Sequence, residues 1–354
     1  MSVLILLSFK GPLAPTLPEG SGKAKSQGGA AMIARRNFLG VLCLAMVLIV
    51  AMGAGVAGAA QHVTFGTASP TGGWMMLASG VAKIINENLS DYSVTPVPSP
   101  RGSMENIETI ASGERELGLT MSNIALLGLK GEEPFKEPLK GVQGWFSAHY
   151  GYWYLLARAD SGIKTVDDLK GKRIAIGNPG DGDEAFNKEV LAALGLGWNE
   201  FTQEYSGFSD ALNLVKQNQI DALAYVAAPR LPSITELLTT KDMVLVQIDP
   251  VKMQEVEKAL PYLVTRKMPK SDFPALDMPE EAPVYSINHI VICAETLDED
   301  TMYKFTKALM ENIDQVQEIG PAFSVVTPEN AVKGMPIPFH PGALKYYKEA
   351  GLVK

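Results

Sequence analysis

Three glycine-rich segments stand where an extended run gives way to a helical pattern, and that placement is the chain's strongest chemical signal. The first is Gly66-Thr67-Ala68-Ser69-Pro70-Thr71-Gly72-Gly73-Trp74, the second Arg101-Gly102-Ser103-Met104-Glu105-Asn106, and the third Gly177-Asn178-Pro179-Gly180-Asp181-Gly182-Asp183-Glu184. Backbone N–H groups at a helix N-terminus have no intrahelical partner and attract anions or polar ligand atoms. None of the three is a phosphate loop, since no Gly-Lys-Ser/Thr follows. Ser103 reads as an N-cap, with capping and ligand contact both open as its role. Asp181 and Asp183 fall short of a calcium loop, which needs acids at five positions closed by a glutamate. Their simplest role is to neutralise a helix N-terminus.

A fourth signal is aromatic: Trp145, Phe146, His149, Tyr150, Tyr152, Trp153 and Tyr154. Strand alternation would bury half of them in a core and leave the other half to wall a pocket. Catalytic constellations do not accompany these segments. The sequence holds no Gly-x-Ser-x-Gly elbow and no His-Glu-x-x-His, and His62, His149, His289 and His340 are widely spaced. Binding without chemistry is therefore favoured, with no cofactor and no metal.

The elements that must position these turns alternate in type. Val63–Gly66, Val94–Val97 and Leu117–Thr120 read as strands, with helices at Gly73–Leu89 and Ser103–Ser112 between them. The pattern resumes with a short capped helix at Thr165–Leu169, a strand at Arg173–Ile176 and a helix at Asp183–Leu194. A strand at Phe201–Tyr205, a helix at Ser209–Gln217 and a strand at Asp221–Val226 follow. Such alternation predicts parallel βαβ units with ligand sites at the carboxyl ends of the strands. Residues 251–283 are rich in Pro and charge and are expected to loop over the surface. Val284–Ala294 is apolar and β-like, and Asp298–Val316 reads as one amphipathic helix with Asp298 as N-cap.

Tyr152–Ala159 and Tyr285–Cys293 flank a self-contained α/β block and are expected to pair as two crossover strands. The fold class is then α/β, a two-lobed periplasmic-binding-protein-like clamshell of type II. Its sheets are parallel-rich and flanked by helices. Lobe I comprises 61–157 plus 286–354, and lobe II 158–285. One large α/β domain with these segments as central strands is the alternative.

The amino-terminal region carries an export signal. Met32-Ile33-Ala34-Arg35-Arg36 precedes the apolar run Phe38–Val50, and Ala57-Gly58-Ala59 supplies the small residues of a cleavage site. Thirteen apolar residues span about 20 Å, short of a bilayer core of roughly 30 Å. Residues 32–60 are thus expected to be a signal peptide cut near Ala59/Ala60, placing the mature chain in the periplasm. Residues 1–31 precede it without periodicity, and translation is expected to start at Met32. Arg35-Arg36 leaves Sec and twin-arginine export both open.

Removing residues 1–60 removes five basic residues and one acidic residue from totals of 31 and 39, leaving 26 against 38 and a formal charge of −12. So acidic a chain disfavours nucleic acid as a partner. Of the two cysteines, Cys43 lies in the apolar run, and Cys293 alone survives processing, so no intramolecular disulfide forms. Its setting in His289-Ile-Val-Ile-Cys-Ala reads as a buried strand.

Over residues 62–353 the ordered series of motifs resembles the TAXI-type solute receptors of TRAP transporters. The supporting residues are Gly66-Thr67 with Gly72-Gly73, Gly102-Ser103-Met-Glu-Asn106, Ala111-Ser112-Gly113-Glu-Arg-Glu116 and Arg158-Ala-Asp-Ser-Gly162 running on to Arg173. Gly177-Asn-Pro179-Gly180, Gln219-Ile-Asp221-Ala222 and the tail Phe339-His340-Pro341-Gly342-Ala343 complete the series. The resemblance implies a periplasmic receptor that closes on a small polar organic solute and delivers it to TRAP membrane permease subunits. It implies ligand contact by Thr67, Gly72, Gly73, Trp74, Ser103, Asn106, Ser122, Asn123, Gly180, Asp181, Gly182 and Asp183. Tyr152 of the aromatic run and Tyr225 of the Asp221–Val226 strand join this candidate set. A sensory module for a membrane kinase, or a periplasmic enzyme pairing Asp183 with His149, remain alternatives.

Two departures from that family bear on the solute. Trp74-Met75-Met76 stands where a Tyr pair is usual, and Gly180-Asp181-Gly182-Asp183 where Gly-Ser-Gly-Thr is usual. Ionised aspartates cannot donate to a ligand carboxylate, and two would repel one by about 4 kcal/mol per charge pair at 4 Å and an effective dielectric near 20. A cationic, zwitterionic or neutral polar solute, or a metal-bridged anion, is expected in place of a dicarboxylate. If both side chains turn to solvent, the backbone amides alone would hold a carboxylate.

Overall fold

The computed structural model describes residues 60–354. The expected extension 1–31, the signal peptide at 32–60 up to its final residue, Cys43 and the export motifs lie outside them. In chain order the elements are β1 (Gln61–Gly66), α1 (Gly73–Asn88), β2 (Tyr92–Val97), α2 (Gly102–Ala111), β3 (Leu117–Met121), α3 (Ser122–Lys130) and β4 (Val142–Arg158). Next come β5 (Arg173–Ala175), α4 (Gly182–Ala193), β6 (Thr202–Glu204), α5 (Phe208–Lys216), β7 (Ala222–Ala227), α6 (Pro232–Thr240), β8 (Met243–Leu245), α7 (Pro250–Ala259) and β9 (Val264–Pro269). The chain ends with β10 (Glu281–Ala294), α8 (Glu299–Glu311), α9 (Ile313–Glu318), α10 (Pro328–Ala331) and α11 (Pro341–Glu349).

The main path of the sheet runs β2-β1-β3-β10-β4-β7-β5-β6. β1 is parallel to β2 and β3, and β5 is parallel to β6 and β7, so two parallel groups flank an antiparallel centre. The fold is α/β and periplasmic-binding-protein-like. α1 shows why the helices lie where they do: Leu77, Val81 and Ile85, with Ala78 and Ala82, form one apolar stripe. That stripe is buried against Phe65, Leu117 and Phe305 in the core of the first parallel group.

β4 and β10 have 17 and 14 residues, long enough to serve both groups. β4 pairs with β10 over Val142–Tyr152 and then with β7 over Tyr152–Ala157. The expected pairing of Tyr152–Ala159 with Tyr285–Cys293 is therefore corrected: the two segments meet only where Tyr152 faces Ser286. The aromatic run itself supplies the rest of the crossover. Two register shifts, between His289 and Ile290 and between Val291 and Ile292, interrupt the ladder. Such bulges bend a strand and sharpen its twist.

That extension of β4 also overturns the half-and-half expectation for its aromatics. Trp145, Phe146, His149, Tyr152, Trp153 and Tyr154 are all buried, because elements cover both faces of the strand. Tyr150 is half-buried beneath the Arg266 guanidinium, 4.1 Å from its ring centre. None of the seven lines the main cavity.

Two further expectations change. Residues 251–283 are not a surface loop: Asp249 caps α7 through the N–H groups of Val251 and Lys252, Met253 and Val256 are buried, and β9 pairs with β10. The expected helix Asp298–Val316 begins as read, with the Asp298 carboxylate accepting from the Thr301 N–H, but breaks at Asn312 into α8 and α9. Cys293 is fully buried in β10, and burial raises its thiol pKa strongly.

Candidate functional site

A cavity of about 690 Å³ opens at the carboxyl ends of the parallel strands of both groups. One wall is built from Ala68–Trp74 after β1, from Pro98–Pro100 with Gly102 and Ser103 after β2, and from Met121 at the end of β3. The opposite wall is built from Asn178 and Asp181–Asp183 after β5, Gly207–Asp210 after β6 and Tyr225–Ala228 at the end of β7. Leu231 and His289 complete it.

In the first wall, α1 starts at Gly72, which has no side chain to cap with, and its first turn carries no acid. α2 starts at Arg101, also without a side-chain cap. Ser103 is therefore not the expected N-cap: its hydroxyl accepts from the Met121 N–H at 3.1 Å and fastens α2 to β3. The one acid in α2's first turn, Glu105, is engaged by Arg115 at 3.0 Å and accepts from the Arg101 N–H at 3.2 Å.

In the second wall, Gly177 takes φ +105°, and a Cβ there would collide with the Asp181 carboxylate. This turn lets Asp181 fold back as N-cap of α4. It accepts from the Glu184 N–H at 2.7 Å and the Asn178 N–H at 2.6 Å. Asp183 accepts from the Val226 N–H at 3.0 Å through Oδ1, while Oδ2 makes no hydrogen bond among the described residues. Asp181 is buried, and Asp183 is half-buried on the cavity lining. Burial, reinforced by the Asp183 charge, pushes the Asp181 carboxyl up to about 8, and burial pushes Asp183 up to about 7 against the opposing Val226 hydrogen bond. The buried Tyr225 hydroxyl donates to the Ser206 carbonyl and accepts from the Gly177 N–H at 3.1 Å, so it holds the turn in place.

The walls touch directly. Ser209 in α5 bonds Ser69 at 2.6 Å and also Thr71, and the Asn178 side chain donates to the Pro100 carbonyl at 2.8 Å. Gly182 lies so close to the first wall that a Cβ would fall 2.7 Å from Ser103 Cβ and 2.8 Å from Met121 Cε.

Trp74 Nε1 donates to His289 Nδ1 at 2.9 Å, and His149 Nε2 lies 3.1 Å from the same atom. Burial lowers His149 to about 4 and His289 well below its ordinary value, so both rings are neutral at pH 7. No hydrogen bond joins Asp183 to His149, the pair an enzyme reading would need.

Of the candidate residues, the structure brings Gly72, Gly73, Trp74, Ser103, Asp181, Gly182, Asp183 and Tyr225 together around the cavity. Thr67, Asn106, Ser122, Asn123, Tyr152 and Gly180 lie off its lining. Thr67 donates to the Val97 carbonyl at 2.9 Å, and Asn106 donates to the Thr67 and Leu119 carbonyls at 2.7 Å each. Ser122 and Asn123 are buried at the start of α3, Tyr152 is buried in β4, and Gly180 lines a separate pocket of about 380 Å³ beside Glu184 and Glu189. Ser69, Thr71, Gly207–Asp210 and His289 also line the cavity and lie outside the candidate set. Gly207-Phe208 repeats the strand–glycine–helix signal of the other turns and was findable; His289 sits mid-strand in an apolar run and was not.

The lining includes three acids, Asp181, Asp183 and Asp210, and no Lys or Arg. Among the described residues no group of three His, Cys, Asp or Glu side chains is placed to hold a metal ion.

The profile of the NMT1-like family matches residues 65–351. Among solved structures, PhnD1 from Prochlorococcus marinus, in complex with methylphosphonate, is 11% identical, with 83% of this chain and 99% of that chain covered and a TM-score of 0.52. The alkanesulfonate-binding protein SsuA from Xanthomonas axonopodis pv. citri, bound to MOPS, is 16% identical over 74% and 79%, with a TM-score of 0.43. A TRAP periplasmic solute-binding protein from Shewanella oneidensis, with bound succinate, is 11% identical over 84% and 87%, with a TM-score of 0.45.

Proposed function

The chain belongs to the NMT1-like family, and from that premise we propose that it is a periplasmic solute receptor. It binds a small polar organic solute between two lobes, residues 61–157 plus 286–354 and residues 158–285, and hands it unchanged to a membrane permease. The observation that carries this reading is the cavity of about 690 Å³ whose opposite walls come from the two parallel groups and hydrogen-bond to each other. A solute touching both walls favours the closed arrangement by its differential affinity, and the closed face is what a permease would recognise. The shared fold with a protein solved with methylphosphonate supports a binding role. The sequence resemblance favours a TAXI-type receptor and TRAP permease subunits as the partner.

Native mass spectrometry of the protein purified gently from its host is the test. A retained small molecule of fixed mass, lost on mild denaturation, is the expected result. Turnover of that molecule by the protein would overturn the receptor reading in favour of an enzyme. Sequencing the purified protein's N-terminus checks export: a start near Gln61 is expected, and a start at Met1 or Met32 would refute cleavage.

A further inference from the structure

The two walls of the cavity differ in charge, and the difference selects a solute. Helix N-termini bring about half a positive charge each to the ends of α1 and α2. Neither end is capped by a side chain, no acid stands in the first turn of α1, and Glu105 of α2 is held by Arg115. No residue lining this wall carries a formal charge. Its open donors are the Gly73 and Trp74 N–H groups of α1 and the Ser103 N–H of α2, since the Gly102 N–H is taken by the Ser99 carbonyl at 2.9 Å, and they face an anionic group with a positive potential.

The facing wall is of the opposite sign. At α4 Asp181 is already engaged by its own turn, since its two oxygens each accept a backbone N–H. Asp183 is then an excess carboxylate with no cation beside it and with Oδ2 open to the cavity. At α5, Asp210 stands in the first turn and offsets that helix end. A half-buried carboxylate without a partner cation is costly, and a ligand ammonium placed against Oδ2 supplies both the charge and the donor.

Resting on the receptor reading above, we infer that the cavity takes a small zwitterion of zero net charge, with its anionic group on the N-termini of α1 and α2 and its N–H-bearing ammonium on Asp183. Such a solute bridges the two walls by opposite interactions, so each end contributes to closure. A dicarboxylate satisfies the first wall and is repelled by the second. A diamine does the reverse, and a quaternary ammonium lacks the N–H that Oδ2 accepts.

Isothermal titration of the purified protein with L-alanine, L-leucine, L-phenylalanine, glycine betaine, succinate and cadaverine tests this. The expected result is binding of at least one of the three amino acids, tighter than any of the other probes by tenfold or more. Asp183→Asn, which keeps an acceptor for the Val226 N–H, should weaken that amino acid at least tenfold without lowering the melting temperature, and Asp183→Glu should recover part of the loss. Tighter binding of succinate, cadaverine or glycine betaine, or unchanged amino-acid affinity in Asp183→Asn, overturns the zwitterion inference and leaves the receptor reading standing. Binding of none of the probes overturns the inference; if native mass spectrometry also finds no retained molecule, the receptor reading falls with it.

Discussion

In the half of the sheet built on β1, the central strand carries β2 and β3 on either side; in the half built on β5, it carries β6 and β7. Each half seals its strand ends with one buried asparagine. Asn106 of α2 donates to the carbonyls of Thr67 and Leu119, and Asn187 of α4 to those of Ile176 and Ala224. Around both, glycine turns lead into helices aimed at the cavity. The halves part company at the charges on those helix ends: none on the lining of the first wall, three aspartates on the second. Like wiring with unlike charge gives a cavity that distinguishes the two ends of its occupant.

The largest effects should come from breaking what the halves share. Asn187→Ala leaves two buried carbonyls and the Trp153 Nε1–H without partners. It should cost about 3 kcal/mol in urea unfolding, with Asn106→Ala close behind because it orphans the Thr67 and Leu119 carbonyls. A loss under about 1 kcal/mol in either variant would refute this structural role. Next is the contact between the walls. Gly182→Leu would drive a side chain into Ser103 and Met121 and prevent closure. A loss of about 100-fold in solute affinity, about 2.8 kcal/mol, is expected with little change in melting temperature. In Gly73→Ala the new Cβ meets Leu231 Cδ1 at 3.3 Å and touches Ala228 Cβ and Phe323 Cζ at 3.6 and 3.9 Å, and the change should cost a few-fold.

The charge difference is probed by pH. The Asp181 and Asp183 carboxyls titrate higher in the folded chain than their unfolded value near 3.8. The folded state therefore binds more protons between about pH 4 and pH 8, and these groups' contribution to stability declines as pH rises through that window. In the absence of solute, Asp183→Asn should gain on the wild type between pH 5 and pH 8.5, on the order of 2 kcal/mol at the upper end. A melting difference that stays constant with pH would contradict the burial of this charge. The smallest effect is expected at the half-exposed cross-wall link: Ser209→Ala removes the bonds to Ser69 and Thr71 and should change affinity by about twofold.

Much of this architecture was legible from local pattern. The alternation of strands and helices from residue 61 to 227 and the glycine turns between them follow from hydrophobic period and φ requirements, which neighbouring residues carry. The errors fell where a segment's neighbours come from far away. Residues 251–283 look polar in isolation, yet β9 is a strand because β10 offers it a ladder. β4 alternates nothing between core and solvent because both of its faces are covered. In the candidate site, Asn106 and Thr67 are ligand contacts on the family resemblance, but their polar atoms are consumed by strand-end carbonyls.

Sequence alone settled that Asp181 and Asp183 open a helix beneath a glycine turn, since capping is satisfied within three residues. Which carboxylate is left for a ligand was decided only by the folded chain. Asp181 is used up by its own turn, whereas Asp183 finds Val226, 43 positions away, for one oxygen and the cavity for the other. His289 likewise reaches the cavity only because Trp74, 215 positions distant in sequence, meets it there. Local backbone geometry is written in adjacent side chains; the partner of a buried polar atom is set by which distant strands the whole sheet brings alongside.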